Sequence, residues 1–456
     1  MNRLLSTFLD GWLADPARRP LVLRGARQVG KTWLARDLAA RSGRSLAEAN
    51  FEREPRLARA FGSRDPARIL GELGLALDLD VQPARSLLFL DEIQACGPVL
   101  AGLRWFAEEL PELPVIAAGS LLDFALTDEA SSTPVGRIAY SHIEPMSFVE
   151  YLEAHGRAAL LDRLREWAPG DELGSLAHER ASECYERFAM VGGMPAVVAA
   201  DVAGADPQRC RRLQVDLMAT YRDDFAKYTG RMDPGLLDTT LLSVAAQLGG
   251  KFVYAKVGEG VKQHQAKQCL ELLARARLVT LVRHSVASGI PLGGEIKGRN
   301  RKALFLDVGL THALLGTPAG STFPRLRDVA PAVRAKLSEQ LAGQQLRVLS
   351  SGSGDEPVLH YWQREGGRPG EVDFLVQVKQ RIVPVELKAG AAGSMKSLHQ
   401  FVHDKDLELA VRIDTNPPSL QTVDVKTTRG DRARYRLLSL PGYLLWRVGE
   451  LSAELG

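Results

Sequence analysis

The sequence predicts an α/β chain: a parallel sheet with flanking helices over residues 1–150, a largely helical middle, and a second α/β unit at the C-terminal end. Three observations carry this reading. Leu21-Val22-Leu23, an apolar run of strand type, leads into Gly25-Ala26-Arg27-Gln28-Val29-Gly30-Lys31-Thr32 and then into the helically spaced segment Trp33–Ala39. A second buried-strand pattern, Ser86–Leu90, ends in the adjacent acids Asp91 and Glu92. Near the other end, Gly370–Val376 and Arg381–Lys388 read as two strands joined by a turn at Lys379-Gln380.

Composition sets the frame for these elements. A chain of 456 residues accommodates two to four domains, each able to bury a core. Its hydrophobic fraction of 45% and charged fraction of 25% are those of an ordinary soluble globular protein. The net charge is only +3, so any nucleic-acid affinity has to come from local patches. Cys96, Cys184, Cys210 and Cys269 are far apart, with no C-x-x-C pair, which favours free thiols in a reducing cytoplasm over zinc or disulfides. Leu4–Leu13 is short, is interrupted by Asp10, and reads as an amphipathic helix instead of a signal peptide. No run of about eighteen apolar residues is present, so no membrane partner is expected.

Gly25–Thr32 matches G-x-x-x-x-G-K-[ST] in full, in the strand–loop–helix context the pattern requires. Backbone N–H groups of Gly25, Ala26, Arg27, Gln28, Val29 and Gly30 would wrap a phosphate, aided by the positive end of the following helix. Lys31 would reach the β- and γ-phosphates and Thr32 would ligate Mg²⁺, which implies ATP or GTP as ligand. Asp91 would hold the Mg²⁺ through water, while Glu92 would polarise the attacking water. Ser45–Phe51 and Leu113–Ala118 are further strands, with a helix at Gly102–Leu110 between them. The last strand ends in Gly119-Ser120, where Ser120 either senses the γ-phosphate or simply caps the next helix. Arg137 follows a loop rich in Ser, Thr and Pro and precedes the strand Ile138–Ile143. It is either an arginine finger or a surface residue.

From Phe148 to Asp233 the pattern is helical, with helices over Phe148–Leu164, Leu176–Phe188 and Cys210–Tyr228. Gly192-Gly193-Met194-Pro195 breaks it and Ala200–Pro207 reads as a linker. A lid over the nucleotide and an independent bundle give the same periodicity. Leu236–Leu248, His264–Ala276, Leu278–Arg283 and Lys302–Leu306 then follow in the order of a winged helix. Gln263, His264, Gln265, Lys267 and Gln268 would face outward on its second helix, with Lys297-Gly298-Arg299-Asn300-Arg301 as the wing tip. Such a module serves either DNA contact or protein packing. Thr317–Val333, with several Pro, Gly and Ser residues, reads as a linker.

In the final segment Glu386 and Lys388 share one strand face, with Leu387 opposite, and a hairpin brings Asp373 beside them. Two carboxylates on one face can ligate a divalent metal, here Asp373 and Glu386, while Lys388 positions and activates a water. Glu339, on a helix over Val333–Leu346, is a candidate additional acid, and Gln400 on the helix Ser397–Val402 is a candidate for orienting that water. Alternating Glu and Lys are common on solvated faces, but this strand is otherwise strongly apolar (Ile382, Val383, Val385, Leu387), and charges there want a reason. Leu407–Ile413 and Arg434–Leu438 are further strands.

Taken together, GARQVGKT, LLFLDEIQ, AAGS, VGRI and EVDF…VPVELKAG resemble the prokaryotic AAA-type (AAA+) P-loop ATPases that carry a C-terminal PD-(D/E)xK nuclease-like, or restriction-endonuclease-like, domain. The resemblance spans nearly the whole chain. It implies an ATPase domain over 1–150, a helical lid or linker region over 151–233, a winged helix over 234–316 and a nuclease-like domain over 334–456. It also implies homo-oligomeric rings such as hexamers, with Arg137 acting on the adjacent subunit. Ser120 departs from the Asn of many such sensor positions. The expectation is a Mg²⁺-dependent ATPase that remodels or translocates DNA, branched DNA included, with a C-terminal domain that binds and cuts DNA or is a binding remnant. The competing expectation is a nucleotide-switched scaffold whose C-terminal domains contact protein.

Overall fold

The computed structural model describes residues 3–119, 122, 136–228, 232–317, 328–364, 366, 370–388 and 395–455. After helix α1 (Leu5–Ala14), strands β1 (Leu21–Arg24), β2 (Ser45–Asn50), β3 (Ser86–Asp91), β4 (Val115–Ala118) and β5 (Ala139–His142) form one sheet in the order β2-β3-β4-β1-β5. All its pairings are parallel, so every carboxyl end opens on the same edge, where an open α/β sheet takes its ligand. Helices α2 (Lys31–Ser42), α3 (Pro66–Leu77) and α4 (Gly97–Glu109) cover it. Asp65 caps α3 by accepting from Ala67 N and Arg68 N. No sequence signal had been assigned to that helix.

The helical middle comprises α5 (Phe148–Ala154), α6 (Ala158–Glu166), α7 (Ser175–Val191), α8 (Pro195–Val202) and α9 (Pro207–Tyr228). Ser147 and Glu150 form a reciprocal capping box at the start of α5. The expected linker over Ala200–Pro207 is corrected: its first residues complete α8, where Pro195 at the first turn fixes a helical φ. The break at Gly192-Gly193 has a steric reason. Gly192 sits at φ +76°, and a Cβ on Gly193 would lie 2.1 Å from the carbonyl oxygen of Met146.

Helices α10 (Pro234–Ala246) and α11 (Gln263–Arg275) precede the antiparallel hairpin β6 (Val279–Ser285) and β7 (Ile296–Phe305), then α12 (Val308–Leu314). On α11, Ala266, Cys269, Leu270 and Leu273 are buried, while Gln263, His264, Lys267 and Gln268 are exposed and Gln265 is half-buried. One expectation for the hairpin is overturned. Lys297–Arg301 is no wing tip but part of strand β7. The hairpin joins a larger sheet, because β6 pairs in parallel with β8 through Arg283↔His360 and His284↔Tyr361.

The remaining elements are α13 (Pro331–Ser351), β8 (His360–Gln363), β9 (Glu371–Val378), β10 (Arg381–Leu387), α14 (Lys396–Asp404), β11 (Leu409–Asp414), β12 (Ser419–Lys426), β13 (Arg432–Pro441) and α15 (Val448–Glu454). With the hairpin they make an eight-stranded mixed sheet in the order β12-β13-β11-β10-β9-β8-β6-β7. Residues 279–305 and 360–441 thus share one sheet. Helix α13 ties the regions together through polar side chains that satisfy otherwise orphaned backbone groups. Gln340 bonds both Phe305 N and Phe305 O, Gln344 accepts from Val308 N, and Gln345 accepts from Phe148 N at 3.0 Å. One apolar core runs from α1 through the middle helices to α15, and a second lies beneath α3 and α4.

Candidate functional site: a phosphate loop and an acidic hairpin

The phosphate loop leaves β1 at the ligand edge of the first sheet. Its glycines are needed for different reasons: Gly30 holds φ +101° as the N-cap of α2, and a Cβ on Gly25 would lie 2.5 Å from Ile143 O. Gln28 also takes a left-handed conformation, at φ +62°. Lys31 is 7% exposed, and its Nζ donates to Gly25 O at 2.9 Å and Ala26 O at 2.8 Å, which places the ammonium within the turn of the loop.

Strand β4 separates β1 from β3, so the loop and the acids flank one crevice. Thr32 Oγ1 donates to Asp91 Oδ2 at 3.1 Å, and Asn50 Nδ2 donates to the same oxygen at 3.3 Å. Burial and then the neighbouring Glu92 push the Asp91 carboxyl above its ordinary range, while Thr32 and Lys31 pull the other way. Glu92 takes φ +54° as it leaves the strand, and its Oε2 accepts from Gln94 Nε2 at 2.6 Å. A hydroxyl and a carboxylate converging beside a buried lysine are the hard-oxygen donors that Mg²⁺ requires, so these residues fit a Mg²⁺–nucleotide. Gln94 was missed by motif reasoning, because only the fold shows its amide on Glu92. Ser120 lies outside the described residues. Arg137 lies apart from the loop's contacts and pairs on the surface with Glu108, Nε to Oε1 at 2.7 Å.

Residues from distant segments grip the loop. Arg3 donates to Val29 O and Glu144 O, each at 2.7 Å, and pairs with the buried Glu150 at 2.8 Å. From α9, Asp224 accepts two bonds from Arg27 Nη1, at 2.8 and 2.9 Å, and Tyr221 donates its hydroxyl to Arg27 O at 2.7 Å. Arg27 also reaches Glu52 at 3.0 Å. The helical middle therefore touches the nucleotide loop directly.

In the second sheet, the β9–β10 register pairs Val385 with Phe374, and its continuation sets Glu386 opposite Asp373. The two acids, Lys388 and Glu339 do gather. Their partners differ from those expected. Lys388 Nζ bonds Glu386 Oε1 at 2.7 Å, and Asp373 Oδ2 accepts from Leu387 N at 2.8 Å. A residue the sequence reading had placed in the wing, Lys302, enters from β7 at 1% exposure. Its Nζ bonds Glu339 Oε1 at 2.8 Å, pairs with Glu371 and lies 3.8 Å from Asp373 Oδ1. Burial first, then Asp373, pushes the Glu386 carboxyl up to about 7. Gln400 does not serve the site: its amide donates to Asp404 Oδ1 at 2.8 Å and to Asp431 Oδ2 at 3.5 Å. Among the described residues, no three acids, histidines or cysteines are arranged to hold a metal ion. The expected metal ligands Asp373 and Glu386 instead face Lys302 and Lys388, ammonium groups that compete with a cation for the same oxygens.

A third feature is a cleft of about 370 Å³ between the β6–β7 hairpin and the segment after β5. Arg277, Arg283, Lys297 and Arg301 line it, against Glu144 and Glu356. Arg277 meets Glu356 at 2.8 Å, and Arg301 lies 3.8 Å from Glu271.

The five-stranded parallel sheet, its Gly-rich loop and the acids at the end of β3 have the arrangement of a P-loop nucleotide-binding domain. Residues 17–152 match the family model described as AAA domain. Residues 182–321 and 334–427 match two domains of unknown function, DUF8612 and DUF4143. No curated protein matches the chain. Among solved structures, the chain is similar to the Aeropyrum pernix ORC1 protein in complex with DNA, at 16% identity and a TM-score of 0.24, over 69% of this chain and 91% of that one. It is also similar to the Aeropyrum pernix ORC2 protein in its ADPNP-ADP complexes, at 15% identity and a TM-score of 0.29, over 61% and 85%. Among the described residues, no helix is long and apolar enough to cross a membrane.

Proposed function

We propose that the protein is a Mg²⁺-dependent ATPase that couples hydrolysis to remodelling or translocation of DNA, branched DNA included. The convergence of Lys31, Thr32 and Asp91 at the mouth of the loop carries the nucleotide half of this reading. Lys31 neutralises the β- and γ-phosphates, Thr32 and Asp91 hold the metal, and Glu92, oriented by Gln94, takes a proton from the attacking water. Bound Mg²⁺ supplies charge stabilisation on the transferred phosphoryl group. In a homo-oligomeric ring, such as a hexamer, Arg137 reaches the neighbour's nucleotide. Mixing Arg137→Ala with Lys31→Ala subunits then restores turnover that neither has alone. Normal turnover by Arg137→Ala alone would refute the finger.

The DNA half rests on the basic strand β7 and the cleft beside it, which concentrate positive charge in a chain of net charge only +3. The test is a salt titration with labelled duplex and four-way-junction DNA. Contacts to several phosphates weaken steeply with salt. ATP turnover indifferent to DNA, with no DNA binding at moderate salt, overturns this half. The scaffold reading draws on a specific observation: two of the cleft's cations already face acids, Arg277 facing Glu356 and Arg301 facing Glu271.

A further inference from the structure

We infer that Lys302 is a resident cation standing in for the divalent metal of the acidic hairpin. By this assignment the Glu339/Glu371/Asp373/Glu386 cluster is an ionic latch fastening β7 to α13 and to strand β9 within the second sheet, and is not a metal-dependent nuclease centre. This inference is independent of the ATPase and DNA readings.

Glu371 and Asp373 alternate along β9 and so share a face, Glu386 opposes them from β10, and Glu339 arrives from α13. Four carboxylates drawn together repel one another and need compensation. The chain supplies it twice, with Lys302 against Glu339, Glu371 and Asp373, and Lys388 against Glu386. Lys302 cannot act as a nuclease lysine, because at 1% exposure its ammonium meets no substrate. Nor is it poised to withdraw. The Tyr361 ring lies 5.1 Å from its Nζ, and α13 packs so tightly on β7 that a Cβ on Gly343 would lie 2.2 Å from Leu304 Cδ1. An ion entering among these acids would have to expel a buried, fully engaged ammonium.

The test uses the nucleotide-free full-length protein and Mn²⁺ as probe. Bound Mn²⁺ is counted by loss of the free-ion paramagnetic resonance signal, and melting is followed in parallel. Wild type and the Asp373→Asn/Glu386→Gln double variant should bind equal amounts of Mn²⁺, since any contribution from the phosphate-loop site is common to both. Lys302→Met should melt lower by roughly 5 °C or more, regain part of that loss with Mn²⁺, and bind one additional equivalent. One equivalent bound by wild type and lost in the double variant would overturn the inference. So would a Lys302→Met protein that melts like wild type. If Lys302→Met does not fold, the comparison of wild type with the double variant decides alone.

Discussion

The two sheets of this protein each bring a lysine and carboxylates together, and they use them oppositely. At the ligand edge of the first sheet, Lys31 donates to the backbone carbonyls of Gly25 and Ala26, and Asp91 accepts from Thr32 and Asn50. Lys31 is thereby held within the turn of the loop, beside the hydroxyl and carboxylate that fit a Mg²⁺–nucleotide. In the second sheet Lys302 and Lys388 are each committed to carboxylates. Where a lysine is held by backbone carbonyls the same residue types suit a ligand site, and where it is clamped by carboxylates they suit a structural one.

Exchanging the lysines gives the sharpest contrast. Lys31→Ala should lower ATP turnover by about a thousandfold, equivalent to about 4 kcal/mol of transition-state stabilisation, with little change in melting. Lys302→Met should cost about 3–5 kcal/mol of stability, as expected for removing one partner of a buried ion cluster, while turnover per folded molecule stays near wild type. Phosphate release and denaturant melts on both variants measure it. Equal effects of the two variants on turnover would erase the distinction.

The junction joining the two sheets offers a smaller effect. α12 is capped by buried Asp307, which accepts from Gly193 N and Gln344 Nε2 and so links the helical middle to α13. On the same helix His312 is fully buried, and burial, reinforced by Arg211, lowers it to about 3. The folded state therefore binds fewer protons than the unfolded state between about 3 and 6.5, and stability is lost as pH falls through that window. The slope is about 1.4 kcal/mol per pH unit for one histidine. His312→Gln should flatten the curve by that amount relative to wild type in urea melts at pH 4.5 and 6.5. An unchanged slope would show that His312 is not held neutral.

How much of this was legible in the sequence differs between the two regions for a physical reason. The first sheet's site is built from short contiguous segments, each setting its own local geometry, so Gly25–Thr32 and Asp91-Glu92 could be read directly. The second site depends on pairing across the chain. Asp373 and Glu386 were found because a hairpin is local, whereas Lys302 sat in a basic run whose partners only sheet closure supplies. β12 escaped notice because it is an edge strand with only Val423 buried, so it lacks the apolar face that marks a strand. Gln94 and Asp224 could not be found by spacing at all.

The smallest expected effect concerns how the open site is held. Arg27 projects from the phosphate loop to Asp224 on α9 and to Glu52, and it remains 23% exposed. Solvent screens such a partly exposed pair, so Arg27→Ala should cost only about 1 kcal/mol of stability. Its functional consequence is more specific. Tyr221 still bonds Arg27 O through the backbone, so the loop keeps its path but loses the Arg27–Asp224 tie to α9. Nucleotide affinity should then shift by a few-fold, with maximal turnover retained, and Asp224→Asn should reproduce the shift. A full loss of turnover in Arg27→Ala would mean that the guanidinium belongs to the chemistry, and the open site would need one more cation than Lys31.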